Sequence, residues 1–126
     1  MVLIIGGAYQ GKLVYAVGRF PGKGVYRCED GMTELDFASG AGIIYGLHKL
    51  ILGQVRAGGD PLGYAAENIG ALSGKVIICD DVSCGVVPID PVERRYRECT
   101  GRVLGLLSGR ADEVIRVFCG IGTRIK

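Results

Sequence analysis

Short apolar runs alternate along the chain with longer stretches in which apolar residues recur every three or four positions. The short runs are rich in β-branched residues and predict strands covered on both faces, because a strand with one wet face would alternate apolar and polar residues. The predicted strands are residues 2–5, 25–26, 76–79 and 114–119. The periodic stretches predict helices at residues 12–17, 37–57, 61–72 and 91–108. Strands that alternate with helices indicate an α/β fold with a mostly parallel central sheet.

The three later helices are predicted from different features of the sequence. The helix at residues 37–57 is predicted from apolar residues at helical spacing, which are Ile43, Ile44, Leu47, Leu50, Ile51 and Val55. The next two begin with an Asp-Pro pair, at residues 60–61 and 90–91. Aspartate caps the first-turn amides, and proline needs no amide hydrogen at the first helical position. Glu93 completes a capping box in the last of these helices.

Length and composition predict one folded domain over residues 1–126. Hydrophobic residues make up 48% of the chain, enough for a core, and the net charge is only +2, so charge alone indicates neither a nucleic-acid partner nor a membrane surface. The first residues predict a buried strand rather than a signal peptide, and no apolar segment reaches membrane-spanning length. The five cysteines form no CxxC pair and no Cys/His cluster. We therefore expect a reduced, cytoplasmic protein without a zinc site.

A glycine-rich segment connects the first predicted strand to the first predicted helix. It matches GxxxxGK, in which glycines let successive amides point at a phosphate, the helix dipole favours the anion, and the lysine reaches the terminal phosphates. We therefore expect a single phosphate-loop (P-loop) domain with a three-layer, P-loop NTPase-like fold that binds ATP or GTP. The predicted nucleotide-binding residues are Gly6, Gly7, Ala8, Tyr9, Gln10, Gly11, Lys12 and Leu13.

One position of this loop departs from the pattern. Leu13 stands where serine or threonine would help to hold Mg²⁺ through its hydroxyl, and leucine is no ligand. Magnesium would then be held by water, the nucleotide and a carboxylate elsewhere. Two other interpretations remain open for the loop. It is either a glycine-rich turn that binds nothing, or a variant dinucleotide fingerprint in which Glu29 or Asp30 reaches a ribose, although the lysine after Gly11 argues against the latter.

Other polar groups are candidates for chemistry. Asp80 and Asp81 end a predicted strand, where an acid of a phosphate-loop enzyme holds magnesium-bound water or acts as a base, so both are predicted metal-binding residues. His48, the single histidine, lies in a predicted helix and is interpreted as structural or partly exposed, with a catalytic role as the alternative. Four arginines near a helix start indicate either an anionic partner or a solvated face. They are Arg94, Arg95, Arg97 and Arg102.

Two separated parts of the chain carry a more specific pattern. The sequence runs DVSCGVVP at residues 81–88, DP at 90–91, RRYR at 94–97 and GR at 101–102, and continues with ADEV at 111–114 and RIK at 124–126. These segments resemble E-V-G-x-G-V-V-P, D, RRFRD and GR of adenosylcobinamide kinase/adenosylcobinamide-phosphate guanylyltransferases. Residues 6–12 are similar to the GGARSGKS loop of the same family. The matching segments cover roughly half the chain and occur in the family's order.

The resemblance implies a fold, a reaction and a set of roles. Members of the family are oligomeric phosphate-loop proteins that phosphorylate the aminopropanol arm of adenosylcobinamide and then transfer GMP to that phosphate through a guanylylated histidine. A corrinoid is the implied small-molecule substrate, and a homo-oligomer the implied assembly. Lys12 and Asp81 are the implied catalytic residues, with Asp81 in the place of the glutamate of E-V-G.

The chain also departs from the family pattern. Tyr9 and Gln10 replace Arg-Ser in the loop, and Leu13 replaces the serine after the lysine. No segment at residues 25–36 matches the helix with the guanylylated histidine, and His48 comes later. Two hypotheses follow. The chain is either an enzyme of cobalamin biosynthesis that uses ATP or GTP, or a catalytically inactive nucleotide- or corrinoid-binding relative that acts as a partner or regulatory subunit.

Overall fold

Strands and helices alternate along the chain, as the sequence predicts. The computed structural model describes residues 1–82 and 89–126. The strands are β1 (Val2–Gly6), β2 (Val25–Arg27), β3 (Ile43–Tyr45), β4 (Val76–Asp80), β5 (Glu113–Phe118) and β6 (Ile121–Arg124). The helices are α1 (Lys12–Arg19), α2 (Leu47–Arg56), α3 (Pro61–Glu67), α4 (Ile69–Leu72) and α5 (Pro91–Arg110), with a short 3₁₀ helix at Phe37–Ser39.

The strands form a six-stranded sheet in the order β2-β3-β4-β1-β5-β6. All neighbouring pairs are parallel except β5 and β6, which form an antiparallel hairpin. The predicted mostly parallel sheet is therefore confirmed. Strand β1 lies between β4 and β5, and its register sets Gly6 opposite Asp80. The carboxyl ends of β1 and β4 thus meet at one edge of the sheet, where ligands of α/β proteins bind.

Helices cover both faces of the sheet and produce three layers. Neighbouring strand residues point to opposite faces, so Leu3 belongs to one apolar cluster and Ile4 to the other. Ala16 of α1 packs with Ile4, whereas α2, α3 and α5 pack with Leu3. The largest fully buried side chains are Leu3, Ile4, Ile43, Leu50, Ile51, Leu72, Ile77, Ile78, Val103, Leu107, Ile115 and Val117. This is the expected three-layer, P-loop NTPase-like arrangement.

The helix predicted over residues 37–57 is wrong in its first half. Ile43 and Ile44 are buried in strand β3, which pairs with both β2 and β4. Gly46 ends the strand at φ +85°, a left-handed conformation that suits glycine, and α2 begins after it. The error has a simple cause, because a short apolar run satisfies the helical period and a buried strand equally well.

One polar side chain is fully buried on α5, and the end of the chain differs from the prediction. The hydroxyl of Thr100 donates to the Tyr96 carbonyl oxygen at 2.8 Å and so needs no water. Strand β6 was not predicted at all. None of the helices in the described ranges has the combination of length and apolar character that a membrane span requires.

Two helix glycines should respond in opposite ways to alanine. At Gly53 an added Cβ would overlap the carbonyl oxygen of Met32, so Gly53→Ala should lower the free energy of unfolding by about 1–3 kcal/mol. At Gly105 no described residue comes within 4 Å of the added Cβ, so Gly105→Ala should raise it by about 0.5–1 kcal/mol through helix propensity. Denaturant unfolding of both variants measures the difference. Equal stabilisation by both substitutions would contradict the packing of Met32 against α2.

Candidate functional site

The loop between β1 and α1 depends on close backbone contacts. A Cβ at Gly6 would lie 2.5 Å from the Val117 carbonyl oxygen, so a side chain there would separate β1 from β5. Gly11 has φ +85° and is the N-cap of α1. Tyr9 also has a positive φ, of 59°, and its side chain is fully exposed. Gly6 and Gly11 are therefore required by the conformation of the loop and not only by the motif.

The first turn of α1 is open to an anion. The first helical hydrogen bond runs from the Tyr15 amide to the Gly11 carbonyl oxygen at 3.0 Å, so the three amides before Tyr15 have no partner within the helix. Gly11 has no side chain with which to cap them, and no acidic residue stands in the first turn. The positive end of the helix dipole therefore faces the loop, as in phosphate-binding helices.

Lys12 is buried at this helix start. Its side chain is 4% exposed, and its Nζ donates to the Gly7 carbonyl oxygen at 2.6 Å. The same Nζ lies 2.6 Å from Oδ1 of Asp80. A buried ammonium group is stable only with such partners, because desolvation without them is costly. Lys12 thus connects the loop to the end of β4.

His48 also lies beside Lys12 and Asp80, a position that was not predicted from the sequence. It lies in the first turn of α2, and its Nδ1 accepts a hydrogen bond from the Asp80 amide at 3.1 Å. The other nitrogen, Nε2, lies 3.5 Å from Oδ2 of Asp80. Burial lowers the pKa of His48, and the nearby Asp80 carboxylate only partly offsets this. A signal was present, since Gly46 follows an apolar run just as Gly6 does and therefore indicates a strand end before His48.

The two aspartates at the end of β4 differ in position. The Asp80 carboxylate faces Lys12 and His48. Asp81 is partly buried, and its amide donates to the Gly6 carbonyl oxygen at 2.9 Å, which extends the β1–β4 contact. The motif residues 83–88 that follow lie outside the described residues. Of the two predicted metal-binding residues, Asp80 places its carboxylate beside the loop lysine.

The donors beside the loop suit magnesium only in part. Carboxylate oxygen is the ligand that Mg²⁺ prefers, and Asp80 supplies it. Leu13 packs its side chain against the apolar cluster around Ala16 and offers no oxygen. Over residues 1–82 and 89–126, no group of three or more His, Cys, Asp or Glu side chains forms a metal site. A magnesium ion here would therefore be held mainly through water and the nucleotide.

A cavity of about 520 Å³ opens in front of the loop. Its wall consists of residues 8–14 on one side and of Cys28, Tyr45, Gly46, His48, Lys49 and Asp80 on the other. Because Lys12 and Asp80 neutralise each other, Lys49 leaves the wall with an excess of positive charge. Burial raises the pKa of the Cys28 thiol to about 11, so this thiol stays protonated near neutral pH. The cavity is thus suited to an anionic ligand and holds no reactive thiolate at Cys28.

The dinucleotide interpretation does not fit the strand order. In that fold the strand before the ribose-binding acid lies next to β1. Here β2, which precedes Glu29 and Asp30, is at the edge of the sheet, with β3 and β4 between it and β1. The acids that were candidates for ribose binding therefore follow the wrong strand.

Part of the arginine cluster on α5 makes contacts within the protein. Arg95 donates to the Gly59 carbonyl oxygen at 2.9 Å, and Arg97 donates to that of Val82 at 3.0 Å. Arg102 pairs with Glu98 on the exposed face of the helix at 2.6 Å. The contacts of Arg95 and Arg97 hold α5 against the segments before α3 and after β4. Three of the clustered arginines thus have partners within the protein and do not require an anionic ligand.

Comparison with known proteins points to one family. The family model "Cobinamide kinase / cobinamide phosphate guanyltransferase" matches residues 64–125. The bifunctional adenosylcobalamin biosynthesis protein CobU of Salmonella typhimurium is 41% identical to this chain over 51 residues, and that of Escherichia coli 39%. In both cases the match covers 40% of this chain and 28% of the relative. The chain therefore matches less than a third of the length of each of these relatives.

The single histidine permits a direct test of the site's electrostatics. Burial should keep the NMR titration midpoint of His48 below its ordinary value of about 6.5. The unfolded chain then binds more protons in this range, so the free energy of unfolding should fall as pH decreases from about 6.5 through the lower, folded-state pKa. His48→Asn, which keeps an acceptor for the Asp80 amide, should lose this pH dependence. A midpoint above 6.5 would mean that the Asp80 carboxylate outweighs burial.

Proposed function

We propose that this chain is an adenosylcobinamide kinase/guanylyltransferase-like protein of cobalamin biosynthesis that binds ATP or GTP at residues 6–13. The match of residues 64–125 to the cobinamide kinase/cobinamide phosphate guanyltransferase family model supports this proposal. The observation that carries the proposal is the buried Lys12. It lies at the end of a GxxxxGK loop and contacts the carboxylate that ends the neighbouring parallel strand. This combination supports phosphate binding more strongly than the motif alone.

Phosphate binding would use groups that are already in position. The open amides at the start of α1 offer hydrogen bonds to phosphate oxygens, and the helix dipole favours their charge. Lys12 would exchange the Gly7 carbonyl oxygen, and part of its contact with Asp80, for a terminal phosphate. The Asp80 carboxylate would then be free to hold water bound to Mg²⁺. Both changes need only a movement of the Lys12 side chain.

We further propose phosphoryl transfer to a corrinoid alcohol as the reaction to be tested first. Magnesium, when bound, would neutralise charge on the transferring phosphate. The chain's own contribution is to orient the triphosphate with the loop amides and to neutralise charge with Lys12. A carboxylate at the end of β4, Asp81 by resemblance and Asp80 by position, would accept a hydrogen bond from the attacking hydroxyl.

One observation favours the second candidate function, a catalytically inactive nucleotide- or corrinoid-binding relative. Leu13 turns an apolar side chain into the core at the position where a hydroxyl would contact the metal. Phosphate binding through amides and Lys12 does not need that hydroxyl, whereas the P-loop pattern uses it to hold the magnesium ion of phosphoryl transfer. Binding without turnover is therefore a consistent outcome, in which the chain would serve as a partner or regulatory subunit.

The proposal also includes the oligomeric state of the protein and its location in the cell. We propose a homo-oligomer, supported by the exposed apolar side chains of Val14, Phe118 and Ile121. We also propose a cytoplasmic location, supported by free thiols at Cys28, Cys79, Cys99 and Cys119 in the described part of the chain.

Calorimetric titration with ATP and GTP tests the proposal. The wild-type protein should bind at least one of them, and Lys12→Ala should weaken binding by about 10–100-fold because a charge-assisted contact to phosphate is lost. Lys23→Ala is the matched control, since Lys23 is exposed in the segment after α1, away from the loop, and it should leave affinity unchanged. Circular dichroism shows whether each variant is folded. Equal affinity of the wild type and folded Lys12→Ala would rule out phosphate binding by this lysine.

The role of residue 13 can be isolated with two variants of nearly equal shape. Leu13→Thr introduces a hydroxyl, and Leu13→Val introduces the same branching without oxygen. Adding Mg²⁺ should strengthen nucleotide binding to Leu13→Thr several-fold more than to Leu13→Val, because only threonine supplies a metal-binding hydroxyl. An assay of adenosylcobinamide phosphorylation on the same proteins distinguishes the two candidate functions. Turnover by the wild type would support the enzyme, and turnover only by Leu13→Thr would support the inactive relative.

A further inference from the structure

We propose that Gln10 is a positioning residue that fastens the phosphate loop to the turn between β5 and β6, and thereby holds the loop ready for phosphate. The inference rests on the proposed nucleotide binding at residues 6–13 and adds the hairpin as a structural part of that site. The loop motif predicts that Gln10 binds the nucleotide, but its side-chain oxygen accepts a hydrogen bond from the hairpin turn.

Two hydrogen bonds join Gln10 to the turn. Its side-chain Oε1 accepts from the Cys119 amide at 2.8 Å. Its carbonyl oxygen accepts from the Gly120 amide, also at 2.8 Å. Both turn residues have positive φ, 51° and 77° respectively, so the turn has a defined conformation in which two successive amides face the loop. One loop residue is thus bound through both its side chain and its main chain.

The backbones of loop and turn are also in contact. A Cβ at Gly11 would lie 3.3 Å from Cα of Gly120, which is closer than ordinary carbon contacts allow without movement. Gly11 precedes Lys12 directly, so the position of the turn bears on the start of α1 and on the loop lysine. The contact therefore reaches the residues whose amides and ammonium group would bind phosphate.

The hairpin itself is firmly attached. Strand β5 pairs with β1 along four residues, and β6 pairs with β5. At Gly122 an added Cβ would overlap the ring of Tyr15, so β6 lies directly against the first turn of α1. The turn is therefore supported by the sheet and by the helix that begins at the loop.

In the remainder of the loop, the Gly7 carbonyl oxygen accepts a hydrogen bond from Lys12, but the residues themselves face the solvent. Gly7, Ala8 and Tyr9 are exposed, and Tyr9 extends fully into solvent. A loop that must become ordered on binding loses affinity through the entropy of ordering, whereas one that is already ordered does not. The Gln10 contact lies between the exposed segment and Lys12, where it limits the motion of the loop.

The test replaces Gln10 with methionine, which has a similar length and no acceptor for the Cys119 amide. Gln54→Met is the matched control, since Gln54 is buried in α2 and donates to the Thr33 carbonyl oxygen at 2.9 Å, outside the cavity at the loop. Two quantities are measured, which are the dissociation constant for ATP or GTP and, without nucleotide, the hydrogen-exchange rate of the Cys119 amide by NMR.

Gln10→Met should weaken nucleotide binding about tenfold, the effect of losing one hydrogen bond that orders the site. It should also accelerate exchange of the Cys119 amide. Gln54→Met should leave both quantities unchanged, even if it lowers the unfolding temperature. Gln10→Glu keeps an acceptor oxygen and should therefore keep the Cys119 amide protected from hydrogen exchange. If Gln10 only filled space, this protection would not depend on an acceptor oxygen.

The possible results separate this inference from the proposed function. If the wild type binds nucleotide and Gln10→Met binds equally well, the inference is wrong and the proposed function stands. Weaker binding without faster exchange at Cys119 would mean that Gln10 contacts the nucleotide itself, which also overturns a positioning role. If the wild type binds neither ATP nor GTP, both proposals fail together.

Discussion

The parallel pairing of β1 with β4 is the constraint on which the site depends. Its register sets Gly6 opposite Asp80 and so brings the loop and the carboxylate to one edge of the sheet. Lys12, the first residue of α1, is then buried within 2.6 Å of Asp80. A charge in that position requires its partner, so a shift in register would disrupt the ion pair and the core together. The same pairing therefore serves both the fold and the site.

Other segments complete this edge from different directions. The start of α2 brings His48 to the Asp80 amide, and the turn after β5 brings two amides to Gln10. The loop is thus held at Lys12 by β4 and at Gln10 by the hairpin, while residues 7–9 face the solvent. This arrangement leaves one open side, the cavity in front of the loop, through which a ligand would enter.

Phosphate binding and catalysis depend on different atoms in such a site. Binding uses backbone amides, a helix dipole and a lysine, all of which this loop retains. In the P-loop pattern, magnesium coordination also uses a hydroxyl at the position of residue 13, where Leu13 packs against the apolar cluster instead. The two properties can therefore separate in this chain, and affinity for a nucleotide does not by itself imply turnover.

Local signals in the sequence determined β1, β4, β5, the phosphate loop and the capped helix starts, because continuous apolar runs, GxxxxGK and Asp-Pro pairs act over a few residues. The tertiary structure decided the rest. The apolar pattern at residues 43–45 is compatible with either a helix or a strand. These residues form a strand because they pair with β2 and β4. Gln10 meets Cys119 across 109 residues of sequence, and the ring of His48 reaches Asp80 across 32. No local pattern specifies such contacts, since they arise only when the sheet order brings distant segments to one edge.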